Sequence, residues 1–211
     1  MSETEDKESL NQQLEELEDI TQEPPPLTNQ IFDSGRRRQA AVLVLIRPIH
    51  NEPHLVFMRR TEKVYSHKGQ ISFPGGGHKP EDGDLAVTAQ REMQEELGID
   101  PDFYRIIAAL PPIDTVVSNF LIYPFLAVAV ADATPEYIPD DFEVAEVLEL
   151  PLRALMQPAA LRLEEWVVEG KPRYVRFYNY KSTVIWGATA HILQNLFKQL
   201  EAGAWPEVLQ N

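Results

Sequence analysis

The stretch Arg91-Glu92-Met93-Gln94-Glu95-Glu96-Leu97-Gly98-Ile99 constrains this chain more than any other, because it sets three carboxylates within five positions of what reads as one helix. At about 100° per residue, Glu92, Glu95 and Glu96 fall on one side of that helix. Ala86, Ala89, Met93 and Leu97 fall on another side and can face a core. Like charges this close repel one another and weaken a helix unless a cation sits among them, and carboxylate oxygens are the donors that hard Mg2+ or Mn2+ prefers. A solvated acidic surface is the plainer account of a Glu-rich helical face, but the surroundings favour the metal. Gln70-Ile71-Ser72-Phe73 alternates as a short strand, Pro74 ends it, and Gly75-Gly76-Gly77 lets the backbone approach a ligand or a neighbouring helix. Asp84 is placed to cap the helix and Gly98 to close it. A strand, a glycine loop and an acid-bearing helix together frame a metal-held diphosphate.

Charge narrows the partners. The formal net charge is −14, which repels a nucleic-acid backbone and an anionic membrane surface, so neither is an expected partner. A small anionic substrate is compatible once a divalent cation and a local basic patch offset that field. Arg36, Arg37, Arg38, Arg59, Arg60 and Lys68 gather near the proposed site in sequence; their plainer account is a charged strand edge. There is no cysteine, which excludes disulfide scaffolds, zinc–thiolate sites and a cysteine nucleophile. The histidines lack ligand spacing, so zinc is not expected; His67, near the site in sequence, is read as a loop residue without catalytic duty. No charged-then-apolar leader precedes the acidic N-terminus, and the longest apolar run, Phe120 to Ala131, is interrupted by Pro124 and falls short of the ~20 residues a membrane helix needs. A soluble, cytoplasmic protein is the expectation.

With 211 residues, 44% of them hydrophobic, the chain can bury one core. Residues 1–34 read as an acidic N-terminal extension with Leu10, Leu14, Leu17 and Ile20 at helical spacing before Pro24-Pro25-Pro26, residues 35–203 as the domain, and 204–211 as a tail. Ala40 to Arg47 reads as a central strand buried on both faces, followed by strands at Leu55 to Arg59, Tyr104 to Leu110, Phe120 to Ala131 and Glu143 to Leu150. A Pro151-led helix comes next, then a hairpin of Glu165 to Glu169 with Tyr174 to Tyr178. A helix from Trp186 carries Ala188, Ile192, Leu196 and Leu200 to a stop at Gly203.

The acidic helix and its glycine run resemble the box of the Nudix hydrolases, G-x5-E-x7-R-E-U-x-E-E-x-G-U with U bulky and aliphatic. Arg91, Glu92, Met93, Glu95, Glu96, Gly98 and Ile99 occupy its second half, whereas strict spacing puts Gly83 where its first acid belongs. Asp82 supplies that acid if one residue is inserted before the helix, a pattern similar to the coenzyme A pyrophosphatase branch. Val56-Phe57-Met58-Arg59-Arg60-Thr61, Gly69 and Phe73-Pro74-Gly75-Gly76 resemble the signature of that branch, with Met58, Thr61 and Tyr65 departing from it. Leu110 to Thr115 and Ile185 to Ala190 resemble further segments of it.

The resemblance implies an α/β fold, a Nudix-type α/β/α sandwich with a mixed sheet, and hydrolysis of a diphosphate with Mg2+ or Mn2+. It assigns Glu92, Glu95 and Glu96 to the metal, Arg91 to steadying them, Glu92 to the base with Glu143 as a further ligand or an alternative base, and Arg59, Arg60, Lys68, Gly75, Gly76 and Gly77 to substrate phosphates or loop contacts. It also implies a small nucleoside diphosphate derivative of the coenzyme A kind as substrate, and admits a homodimer. ADP-ribose, NADH or a nucleoside triphosphate remains an alternative substrate, and a nucleotide-binding regulator without turnover an alternative function.

Overall fold

The computed structural model describes residues 37–64, 67–115, 119–130, 135–168 and 171–203. The extension 1–34, the tail 204–211 and Tyr65 lie outside the described residues.

Aliphatic residues on both faces of β1 (Arg38–Ile49) make it the middle of the sheet. It turns back into β2 (Glu52–Arg60) through His50 and Asn51, at φ 50° and 63°, the paired left-handed geometry of a two-residue hairpin that follows the strand twist. Short strands β3 (Ile71–Ser72) and β4 (Gly75–Gly77) follow. After helix α1 (Leu85–Leu97) come β5 (Tyr104–Ala109), β6 (Ile113–Thr115), β7 (Phe120–Ala129) and β8 (Val144–Pro151). The principal sheet runs β3-β2-β1-β7-β5, with β4 on β1, β6 on β7 and β8 on β2. It is mixed: β1 and β7 are parallel, and the other pairs are antiparallel. Past the short helix α2 (Leu152–Leu155), strands β9 (Leu161–Val168), β10 (Lys171–Tyr180) and β11 (Thr183–Trp186) form a second, three-stranded sheet, and helix α3 (Gly187–Glu201) ends the described fold.

Successive residues of β1 serve opposite cores, as the strand period requires. Ala41, Leu43 and Leu45, with Val56 and Met58 of β2, pack against Ala89, Met93 and Leu97 of α1. Val44, Ile46, Leu55 and Phe57 pack on the other side with Ile192, Leu193, Leu196 and Leu200 of α3. The result is the expected α/β/α sandwich.

Two details depart from the sequence reading. The glycine run is not a loop but strand β4, paired with Ala40 to Val42 of β1. The hairpin strands β9 and β10 are longer than expected, because pairing extends from Leu161↔Tyr178 to Val168↔Lys171. The strand expected over Phe120 to Ala131 forms as β7 with Pro124 inside it. The Pro124 carbonyl accepts from Leu110 N at 2.9 Å, so the absent N–H would face the same side, at the break between β5 and β6 where no ladder bond is lost. Among the described residues no helix is long and apolar enough to cross a membrane.

Candidate functional site

Helix α1 begins and ends as its sequence directs. The Asp84 side chain accepts from Val87 N at 2.9 Å, and Gly98, left-handed at φ 71°, donates its N–H to Gln94 O at 3.0 Å. Between these caps Met93 and Leu97 are buried in the core, while Glu92, Glu95 and Glu96 point away along the side facing β4 and the end of β2. The close approach of β4 explains its composition. A Cβ on Gly76 would lie 2.6 Å from the Glu92 carboxylate, and one on Gly75, at φ 158°, would lie 2.4 Å from Ala41 O. Only glycine fits at 75, where the obstacle is backbone, whereas a side chain at 76 would displace the Glu92 carboxylate.

The acids do not stand alone. Asp82, in a 3-10 turn before α1, is buried and forms a two-pronged pair with Arg91: Nε to Oδ1 at 2.7 Å and Nη2 to Oδ2 at 3.1 Å. Thus the displaced acid reaches the box arginine, while Gly83, at φ 76°, makes the extra bend that the inserted residue requires. The Arg91 hydrogen bond holds Asp82 far below the usual carboxylate range, against its burial. Arg91 in turn donates through Nη1 to Glu92 at 2.6 Å and to Glu95 at 2.8 Å, and through Nη2 to Gly77 O at 3.1 Å. One guanidinium therefore ties the 3-10 turn, β4 and two acids of the helix together. Lys79 also approaches Glu95, at 3.6 Å.

Glu96 is the most buried of the three helix glutamates, with 4% of its side chain exposed. It accepts from Gly75 N at 2.8 Å and lies 3.5 Å from Arg60 Nη1. Burial pushes its pKa up to about 8; the Gly75 N–H opposes the rise, and the charges of Glu92 and Glu143 add to it. Glu92 is also raised, again mainly by burial and against the pull of Arg91.

Glu143 arrives from a different element. The Ile138 and Asp140 N–H groups donate to Leu97 O and Glu96 O at 2.9 Å each, closing off the last carbonyls of α1. The Asp140 side chain then accepts from Phe142 N and Glu143 N at 2.8 and 2.9 Å, a tight turn that delivers Glu143 to Arg60 Nη2 at 3.1 Å. Arg60 thus bridges Glu96 and Glu143. Arg59, one residue earlier, pairs with Glu146 at 3.0 Å, and Lys68 is exposed on the loop after β2. His78, Thr88 and Asp140 are parts of this network that the sequence reading did not single out. The only advance signal was an Asp two to three residues before a turn, too common to select.

Among the described residues no three acids or imidazoles are already drawn together as a metal cage: Glu92 and Glu95 turn to Arg91, and Glu96 turns to Gly75 and Arg60. The donor set nevertheless suits a hard divalent cation. It offers carboxylate oxygens only, and two of the three carboxylates are held above their ordinary pKa by burial, which a cation beside them would reverse.

Comparison with known proteins agrees with this geometry. The family profile described as NUDIX domain matches residues 37–174. An uncharacterized Nudix hydrolase NudL of Pectobacterium atrosepticum is 36% identical over 167 residues, covering 78% of this chain and 84% of that protein. A protein of the same description from Enterobacter sp. strain 638 is 34% identical over 169 residues, covering 80% of this chain and 85% of that one. In fold, the chain is similar to a MutT/nudix family protein of Enterococcus faecalis, with a TM-score of 0.55 at 16% identity over 100% of this chain and 79% of that one. The chain belongs to the Nudix family of hydrolases, enzymes of diphosphate linkages that generally use divalent metal ions.

Proposed function

We propose that this protein is a Mg2+- or Mn2+-dependent pyrophosphohydrolase that cuts coenzyme A or an acyl-coenzyme A into 4′-phosphopantetheine and 3′,5′-ADP. The observation that carries the metal is Glu96, a buried carboxylate lifted to about 8 with Glu92 and Glu143 adding to the rise. Such a cluster is suited to ionise around a cation and poorly suited to ionise without one. In this reading Glu92, Glu95 and Glu96 hold the ion, which when bound supplies charge neutralisation for the phosphates and a lowered pKa for water. Arg91 fixes the spacing of Glu92 and Glu95, and Gly75 N–H orients Glu96. Glu92 or Glu143 takes the proton of the attacking water. Arg60, with Arg59 and Lys68 at the same end of β2, steadies substrate phosphates, and the open space beside Gly77 of β4 leaves room for the diphosphate.

The coenzyme A assignment is supported by the signature around Arg59, Arg60, Gly69 and Phe73 to Gly76. Of its departures, Met58 is fully buried against α1 and has no access to a substrate. The reading without turnover rests on the displaced box acid, and the contact of Asp82 with Arg91 favours turnover over it. The purified protein should be incubated with coenzyme A, ADP-ribose, NADH and the nucleoside triphosphates, each with and without metal, and the products identified by mass. Release of 3′,5′-ADP only with metal is the expected result. Cleavage of ADP-ribose with coenzyme A untouched would move the substrate, and metal binding with no cleavage of any compound would return the protein to a binding role.

A further inference from the structure

Asp82 is a short acid placed outside the helix, and something must aim its carboxylate at Arg91. Part of the aim comes from its own turn, where Lys79 N–H donates to Asp82 Oδ2 at 2.9 Å, and three observations identify the rest. The Thr88 hydroxyl, fully buried in the first turn of α1, lies 2.8 Å from Asp82 Oδ2. His78 Nδ1 lies 2.8 Å from the same hydroxyl and 3.7 Å from Asp82 Oδ2. The His78 backbone is itself anchored, its N–H donating to Gln39 O of the neighbouring strand at 2.9 Å.

The hydrogen count fixes the direction of this chain. A threonine hydroxyl has one proton to donate. Asp82 is held ionised and can only accept, so the Thr88 proton goes to Asp82 in preference to Asp84 O, which is farther away at 3.2 Å. The Thr88 oxygen is then an acceptor, and His78 must carry its proton on Nδ1. The sequence of donors is His78 Nδ1–H to Thr88 Oγ1–H to Asp82, met on its other side by the fork of Arg91, which reaches Glu92 and Glu95.

We propose that Thr88 and His78 are positioning residues that lock Asp82, and through Arg91 set where Glu92 and Glu95 present their carboxylates. They touch neither substrate nor cation. The acid sits one residue off the usual spacing, on a turn closed by Asp82 N to Lys79 O at 3.0 Å, and the Thr88–His78 brace ties that turn to the helix and to the strand beside it. Its kinetic consequence rests on the proposed hydrolysis, whereas its structural consequence does not.

The test uses the full chain and four variants. Thr88→Ser keeps the hydroxyl and Thr88→Val removes it at equal volume. His78→Asn keeps a donor near the place of Nδ1 and His78→Ala removes it. Nitrogen-15 NMR of the metal-free wild type should show His78 as the Nδ1–H tautomer, and Thr88→Val should abolish that preference. With saturating Mg2+ and coenzyme A, Thr88→Val and His78→Ala should lower kcat by about 10- to 100-fold at little change in KM, the size expected for partners that orient ligand-bearing groups. Thr88→Ser and His78→Asn should recover most of the loss. Should Thr88→Val fail to fold, the His78 pair carries the same comparison. An Nε2–H tautomer in the wild type overturns the proposal, as does an equal kcat for His78→Ala and His78→Asn. If no compound is hydrolysed by the wild type, the proposed function fails while the tautomer still decides the brace.

Discussion

The two faces of the principal sheet carry helices of similar length that do different things. Helix α3 places Ile192, Leu193, Leu196, Phe197 and Leu200 in the core, and Tyr178 meets Phe197 edge-on at 5.4 Å. Helix α1 buries Ala89, Met93 and Leu97 in the core, with Leu85 packed partly against them. Its other buried positions are polar, Thr88 and the acid Glu96, and the neighbouring acids are restrained by an arginine. One face is organised for cohesion and the other for charge, and the shared strand β1 supports both because its alternate residues serve separate cores. The lesson is that stability and chemistry can be assigned to opposite sides of one sheet and perturbed separately.

The largest expected effect that would break this division is on α1. Glu96→Gln and Glu95→Gln should each lower turnover by about 100-fold or more, since an amide holds a cation poorly, while circular dichroism remains that of the folded protein. Retained turnover in both variants would end the assignment of these residues. On the opposite face, Leu196→Ala should destabilise the protein by about 2–5 kcal/mol in urea titrations and leave kcat and KM unchanged at temperatures where it is folded. A fall in kcat there would show the two sides to be coupled.

A smaller effect is expected from Arg60, which touches both Glu96 and Glu143. Arg60→Met should raise KM by about tenfold, the loss of one charged hydrogen bond to a phosphate, with a lesser fall in kcat. An unchanged KM with a lowered melting temperature would make Arg60 purely structural.

The smallest effect is a pH dependence that sharpens the contrast. Glu96 is raised from 4.5 to about 8 in the folded protein. Between those values the unfolded chain releases a proton that the folded protein keeps, so the stability of metal-free protein should fall as pH rises through that window and level off above it. Asp82 has the opposite sign: its lowered pKa contributes stability above 3.8 that is lost as pH falls below it. Urea titrations in chelator should show the fall between pH 5 and 8, and Glu96→Gln should flatten it; an unaltered slope in the variant would reject this origin.

Much of this arrangement was legible in the sequence, for identifiable reasons. The α1 caps, its buried stripe, the doubly buried β1 and the terminal helix all follow from local periodicity and end signals, which depend on nearby residues alone. The placing of Glu143 against Arg60 did not, because it arises from hydrogen bonds between the loop at Ile138 to Asp140 and the end of a helix about 40 residues earlier. The strand character of Gly75 to Gly77 was hidden for the same reason: glycine has weak strand preference, and the pairing with β1 is imposed from outside. Asp82 was readable only as an irregular spacing, and its purpose required seeing Arg91 beside it.

The loop that bears Glu143 is fastened at both ends: Ile138 N and Asp140 N hold its start to α1, while Thr61 N donates to Glu143 O at 2.9 Å and Arg60 pairs with Val144, which hold its end to β2. An axial slide or tilt of α1 would therefore move Glu96 against Arg60 and Glu143, which share the end of β2 as their anchor. The frame of reference for Glu143 is the sheet, and Glu96 is the acid whose displacement would register against it.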